Sequence, residues 1–112
     1  MIYTLTPCKS DTFPVCYNIT LNPDDEILKA HFPGRTIVPG AALIQMAADA
    51  VSEHLNHAIT IESLHNVKFL KPLTPEHNGA ELHINATLDG SKAVAVIASG
   101  DVKFATITFR FK

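Results

Sequence analysis

Four residues in the first half of this sequence combine types and spacings that can do chemistry: His31, Gly40, Gln45 and Asp49. Gly40 follows Pro39 at the head of a long apolar run. If that run is helical, its first N–H groups have no internal partners and lie at the positive end of the dipole, and the missing Cβ lets a ligand oxygen approach. Gln45 and Asp49 are four residues apart, so on a helix they share a face, with Asp49 about 6 Å further along the axis. An amide can hydrogen-bond a hydroxyl or a water, but it cannot give up a proton at neutral pH. Asp49 is the obvious substitute where a proton donor is needed, reached through a bridging water. Plainer readings stand beside these. Pro39-Gly40 can be a simple turn into a helix. Gln45, Asp49, Ser52, Glu53 and Asn56 fit the i, i+4, i+7, i+8, i+11 spacing of an ordinary polar stripe. A lone histidine is more often structural, so His31 draws its meaning from the His31-Phe32-Pro33-Gly34 motif around it.

The elements that must position these residues are legible in outline. Val15 to Leu21 alternates and carries β-branched and aromatic types, so it reads as a strand between Pro14 and Pro23. Asp24 to Ala30 has the acidic first turn of a short helix. Two Pro-Gly units, Pro33-Gly34 and Pro39-Gly40, then mark loop. Ala41 to about Asn56 is rich in strong helix formers, with neither Gly nor Pro. Its first half is apolar almost all round, so something must wrap it. Ile59 to Ile61, Leu64 to Leu70, Glu81 to Leu88, Lys92 to Ala98 and Val102 to Phe111 read as strands. Pro72 to Pro75, Asp89-Gly90 and Gly100-Asp101 punctuate them, the last two favouring hairpins. The expectation is an α+β domain spanning 1–112, an antiparallel meander curved around one long helix.

His31-Phe32-Pro33-Gly34 and Pro39-Gly40, with the helix that follows, resemble the hotdog-fold β-hydroxyacyl-ACP dehydratases (ACP, acyl carrier protein). That family carries a pattern close to His-Phe-Pro-Gly-x-Pro-x-Met-Pro-Gly, then a catalytic Glu or Asp five residues on, then commonly a Gln one turn later. Thr36 and Val38 depart mildly from it. A second match is Val67-Lys68-Phe69-Leu70-Lys71-Pro72-Leu73-Thr74-Pro75, where Glu76-His77 replaces the family's closing Gly-Asp. The resemblance covers roughly residues 15 to 111. Counting from His31, the family's acid falls on Gln45 and its usual Gln on Asp49, so the acid and the amide are exchanged.

The resemblance implies dehydration of a 3-hydroxyacyl thioester, which needs a base at C2, a proton donor for the C3 hydroxyl and stabilisation of an enolate-like carbonyl. It assigns the base to His31, the hydroxyl-binding position to Gln45, helped by Asp49, and the polarising N–H to Gly40. Phe32 and Pro39 join Gly40 in substrate binding. The implied substrate rides on the phosphopantetheine of acyl carrier protein, with no other cofactor. The site is built across a dimer, from two copies or from this chain and a related hotdog chain. Two other readings remain: a non-catalytic or weakly active subunit that binds acyl thioesters or completes a heterodimer, and an acyl thioesterase.

Composition narrows the partners. A formal charge of -2 and no Lys/Arg cluster leave no basic footprint for nucleic acid or an anionic membrane. Arg35 and Lys71 could meet a phosphate, but solvated surface charge is the plainer reading. No stretch approaches a membrane span, and the first residues lack the charged and apolar regions of a signal peptide. Cys8 and Cys16 read as reduced thiols of a cytosolic protein, with a disulfide between them as the less favoured alternative. His54, His57, His65, His77 and His83 lack metal-ligand spacing to a carboxylate or thiolate, so no metal is expected. His54 and His57 suit a helix C-terminus through the dipole.

Overall fold

A computed structural model describes residues 2–26, 37–79 and 81–112. Most of the short helix expected over 24–30, and the whole His31 to Gly34 motif with Arg35 and Thr36, lie outside the described residues. The elements run β1 (Tyr3–Pro7), β2 (Val15–Leu21), α1 (Gly40–Leu55), β3 (Ile61–Phe69), a short 3-10 turn (Pro75–His77), β4 (Leu82–Asp89), β5 (Lys92–Ser99) and β6 (Val102–Phe111). The six strands form one sheet in the order β1-β2-β4-β5-β6-β3, every neighbouring pair antiparallel.

Alternation decides which face of that sheet is wet. Val15, Tyr17, Ile19 and Leu21 of β2 are buried, as are Leu82, Ile84 and Ala86 of β4, Ala93, Ala95 and Ile97 of β5, and Ala105, Ile107 and Phe109 of β6. These residues close around α1, which buries Leu43, Met46, Ala47, Ala48, Ala50 and Val51. Alanines on both sides of the contact let helix and sheet approach closely, and Phe104, Phe109 and Met46 fill the space beyond. The helix starts one residue earlier than expected and stops where Asn56 takes a left-handed conformation, φ 62°, its N–H meeting the Glu53 carbonyl.

The two expected hairpins are present and tight. Asp89 pairs with Lys92 and Ser99 with Val102, leaving two-residue loops in which Gly90 and Gly100 both have φ 58°. The strands after the helix are not a simple meander, however. β4, β5 and β6 follow one another, but β3 crosses to the far edge beside β6, and β4 lies against β2. Where Ile59–Ile61 and Leu64–Leu70 were expected as separate strands, one strand runs over Ile61–Phe69, with register shifts between Ile61 and Ser63 and between Leu64 and Asn66. β1, which the sequence reading left unassigned, is an edge strand on β2, where the missing N–H of Pro7 at its end does no harm.

The cysteines are not free thiols. Cys8 and Cys16 form a disulfide, Cα–Cα 5.3 Å, across the mouth of the β1–β2 hairpin, where the Cys8 N–H also donates to the Cys16 carbonyl. Pairing of β1 with β2 continues by one step to set the two cysteines opposite each other, a juxtaposition invisible without β1. The bond closes a short loop, residues 8 apart in sequence. Chain-entropy reasoning gives it about 2.5 kcal/mol. Urea unfolding with and without reductant should show that loss, and so should Cys8→Ser in oxidising buffer.

Candidate functional site

The helix N-terminus is open. Pro39, at φ -64° and ψ 149°, makes no side-chain cap, while its carbonyl accepts the N–H groups of Ala42 and Leu43. The Gly40 and Ala41 N–H groups therefore precede the first intrahelical bonds and point out of the helix end. Residues Ile37 to Gly40 are tied to the turn after β3 by the Val38 N–H, 2.8 Å from the Leu73 carbonyl. That turn is held in its own right. Register slips between Ile97 and Ala98 where β5 meets β6, leaving Phe104 out of the pairing, and its carbonyl accepts from both Leu70 and Lys71. The result is a cavity of about 330 Å³ lined by Pro39, Gly40, Leu43, Phe69 and Lys71, among others.

The space left by the missing Gly40 Cβ is not empty. A Cβ built there would lie 2.8 Å from Phe69 Cζ, so the glycine makes room for an aromatic ring, and an oxygen reaches its N–H only past that ring. Phe69 is half exposed. Phe69 belongs to the second motif match, and nothing in the local sequence announces its contact with Gly40.

Further down the helix, Gln45 and Asp49 meet as their spacing predicts. The Gln45 Nε2–H donates to Asp49 Oδ1 at 2.8 Å, directly and without a bridging water. A third residue joins them. The Tyr3 hydroxyl donates to Asp49 Oδ2, so both carboxylate oxygens act as acceptors. Burial, first, and then the bond to Asp49 and its charge push the Tyr3 phenol far above the usual tyrosine range. Tyr17 is raised too, by burial and then by the charge of Glu53. Tyr3, Thr4, Leu5, Asp49, Ser52 and Glu53 line a second cavity of about 310 Å³. It shares no lining residue with the cavity at Gly40.

The structure thus joins Gln45 to Asp49 and Pro39 to Gly40, but keeps these pairs at different places along the helix. The proposed site residues His31 and Phe32 lie outside the described residues. The polar-stripe reading also holds in part: Gln45, Glu53 and Asn56 are exposed and Asp49 and Ser52 half-buried. No signal in the sequence pointed to Tyr3, which reaches the helix only because β1 extends the sheet beside β2.

A raised phenol has a consequence for stability. Tyr3 keeps its proton in the folded state at a pH where the unfolded chain, near pKa 10, has lost it. The stabilisation is complete below about pH 10 and is lost as pH rises from there toward the folded value. Denaturant midpoints taken at increasing alkalinity should fall in the wild type and fall less in Tyr3→Phe.

The family model described as ApeI-like, ApeI dehydratase, matches residues 8–106. The chain belongs to the ApeI-like dehydratases. It is 32% identical over 104 residues to the 3-hydroxyacyl-(acyl-carrier-protein) dehydratase FabZ of Wolbachia pipientis subsp. Culex pipiens (strain wPip), a match covering 80% of this chain and 69% of that one. It is 33% identical over 86 residues to the enzyme of the same name from Geobacter metallireducens, covering 67% of this chain and 53% of the other. Among solved structures, the dehydratase heterocomplex ApeI:P from Xenorhabdus doucetiae superposes with a TM-score of 0.70 at 20% identity, over 91% of both chains. An uncharacterised protein from Erwinia carotovora subsp. atroseptica superposes at 0.65 and 21% identity, over 100% of this chain and 97% of the other. These likenesses show the fold, a hotdog with its sheet around α1. Among the described residues no helix is long and apolar enough to cross a membrane.

Proposed function

We propose that this chain takes part in the dehydration of 3-hydroxyacyl thioesters to 2-enoyl thioesters, the substrate carried on the phosphopantetheine of acyl carrier protein. His31 removes the C2 proton, the open helix end at Gly40 polarises the thioester carbonyl, and Gln45 binds the C3 hydroxyl. The hydroxyl leaves as water once it has received a proton. One observation carries the reading: in a chain of a dehydratase family, Gln45, which the count from His31 sets at the acid position, donates to Asp49 at 2.8 Å. Lys71, exposed at the rim of the Gly40 cavity, suits the phosphate of the carrier arm.

The same observation favours a second reading, that the proton comes from another chain. Gln45 cannot supply one, and both oxygens of Asp49 are already acceptors. A related hotdog chain that keeps its acid, paired with this one, would complete the reaction. The solved ApeI:P structure is a dehydratase heterocomplex by its description. β3 supports an assembly of this kind. It is an edge strand of 9 residues, and Leu64 is 47% and Phe69 54% exposed on and at the end of it. Large apolar side chains exposed on an edge strand are a surface that a second chain can cover. Light scattering should report a dimer, and Leu64→Lys should shift it to monomer; a monomeric wild type would sink the assembly.

The test of function is hydration of a 2-enoyl thioester followed at the enoyl absorbance, with its reverse, on the chain alone and on the chain co-expressed with a dehydratase-like partner. Loss of the enoyl band without release of thiol supports dehydratase chemistry. Free thiol as the product means hydrolysis and overturns it.

A further inference from the structure

We propose that Tyr3 is a positioning residue that sets which end of the Gln45 amide faces the substrate. This deepens the reading above and rests on it. The Gln45 side chain can present either a donor, Nε2, or an acceptor, Oε1, and its outline is nearly the same either way. Asp49 removes the choice. Both of its oxygens act as acceptors, one from Tyr3 and one from Gln45, so the amide must turn its nitrogen inward and its carbonyl outward.

Asp49 can impose this only if it does not turn itself, and that is the work of Tyr3. The two residues are 46 apart in sequence and belong to different elements, β1 and α1. Tyr3 is 6% exposed, packed in the core and paired to Leu21 across the sheet. Its hydroxyl is therefore fixed by the fold and pins Oδ2, which leaves Oδ1 directed along the helix toward position 45. Glu53 lies on the same helix face and Ser52 beside it, both lining the cavity around Asp49. Neither bonds to the carboxylate among the contacts described.

The chemical result is a hydrogen-bond acceptor, Gln45 Oε1, held toward the position the proposed reaction gives to carbon 3. An acceptor suits a 3-hydroxyl, which donates, and opposes a 3-oxo group, which only accepts. The chain Tyr3–Asp49–Gln45 thus selects the 3-hydroxyacyl thioester over the 3-oxoacyl thioester of the same length. Asp49→Asn inverts the sense. The new amide keeps its oxygen toward Tyr3 and offers its nitrogen to Gln45, which must flip to accept it and so present Nε2 outward.

The experiment measures dissociation constants of 3-hydroxybutyryl-pantetheine and 3-oxobutyryl-pantetheine for wild type, Tyr3→Phe and Asp49→Asn, in the assembly active in the hydration assay. Thermal melts show whether each variant is folded. The wild type should prefer the hydroxy ligand. Tyr3→Phe should lower that preference about two- to tenfold, the weight of one net hydrogen bond, and Asp49→Asn should move it further, toward the oxo ligand. A merely structural role for Tyr3 would weaken both ligands together and leave their ratio alone. If both thioesters bind and the ratio is the same in all three folded proteins, the positioning role is refuted while the dehydratase reading stands. If the wild type binds neither, that reading fails and the inference falls with it.

Discussion

Gln45→Glu is expected to raise enoyl-thioester hydration by the chain alone by about 10² to 10⁴, the usual worth of a positioned general acid. The geometry explains why the gain should be so large. The introduced carboxyl replaces an amide whose nitrogen lies 2.8 Å from Asp49 Oδ1. Two carboxylates that close cannot both stay ionised, so one proton is shared between them and titrates with a raised apparent pKa. A carboxylic acid still protonated near neutrality, beside the leaving hydroxyl, is what the wild type lacks. The rate should then fall on the alkaline side as the shared proton is lost. Stability should follow the same sign: a folded-state carboxyl raised above its unfolded value helps most at low pH, and its contribution is lost as pH rises through the raised value. Gln45→Glu/Asp49→Asn separates the two effects, keeping an acid without the like charge. A Gln45→Glu protein no faster than wild type would mean that something other than the missing proton donor limits the reaction.

How the sequence announces this site differs from residue to residue. The meeting of Gln45 and Asp49 was legible because i, i+4 spacing on a confident helix places side chains in reach whatever the tertiary structure. The exchange of acid and amide was legible for a similar reason, since counting from His31 needs no fold. The contacts that cross between elements were not. Tyr3 lies in a five-residue strand ending in Pro7, too short and too polar to announce itself, and its bond to Asp49 spans 46 residues. The disulfide was hidden by the same omission, because Cys8 faces Cys16 only once β1 is paired with β2. Phe69 over Gly40 depends on where β3 ends and on the Phe104 bulge that turns the chain toward the helix.

The fold divides along the same line. β2, β6 and α1 fell close to their expected bounds because each has a strong period and clear breakers at its ends. Both two-residue hairpins followed from glycines at positions that need positive φ. The placing of β3 did not follow, because a strand after a helix can join either edge of the sheet and local sequence does not choose. Its burial pattern is equally uninformative within one chain. Seven of its nine residues are exposed, in a strand that carries Leu64 and ends at Phe69.

His31→Ala should abolish turnover, by about 10² to 10⁴ or to the limit of detection, without lowering the melting temperature. The motif and membership of a dehydratase family support this expectation, since His31 lies outside the described residues. Its value is greatest in a mixed assembly. Suppose the partner supplies the acid that Gln45 cannot, and the site is shared as the resemblance implies, with base and acid from different chains. This chain then contributes the base to the site that holds the partner's acid. His31→Ala should silence that site, whereas Gln45→Ala in the same chain should leave it running, because position 45 serves only the other, acid-less site. A homodimer behaves differently: both substitutions fall in every site, and both should slow it. Measuring the two variants side by side, alone and with the partner, therefore reads out which chain supplies the proton. If His31→Ala leaves the mixed assembly at full rate, the base comes from elsewhere, and this chain's part is to bind the acyl group or to support its partner.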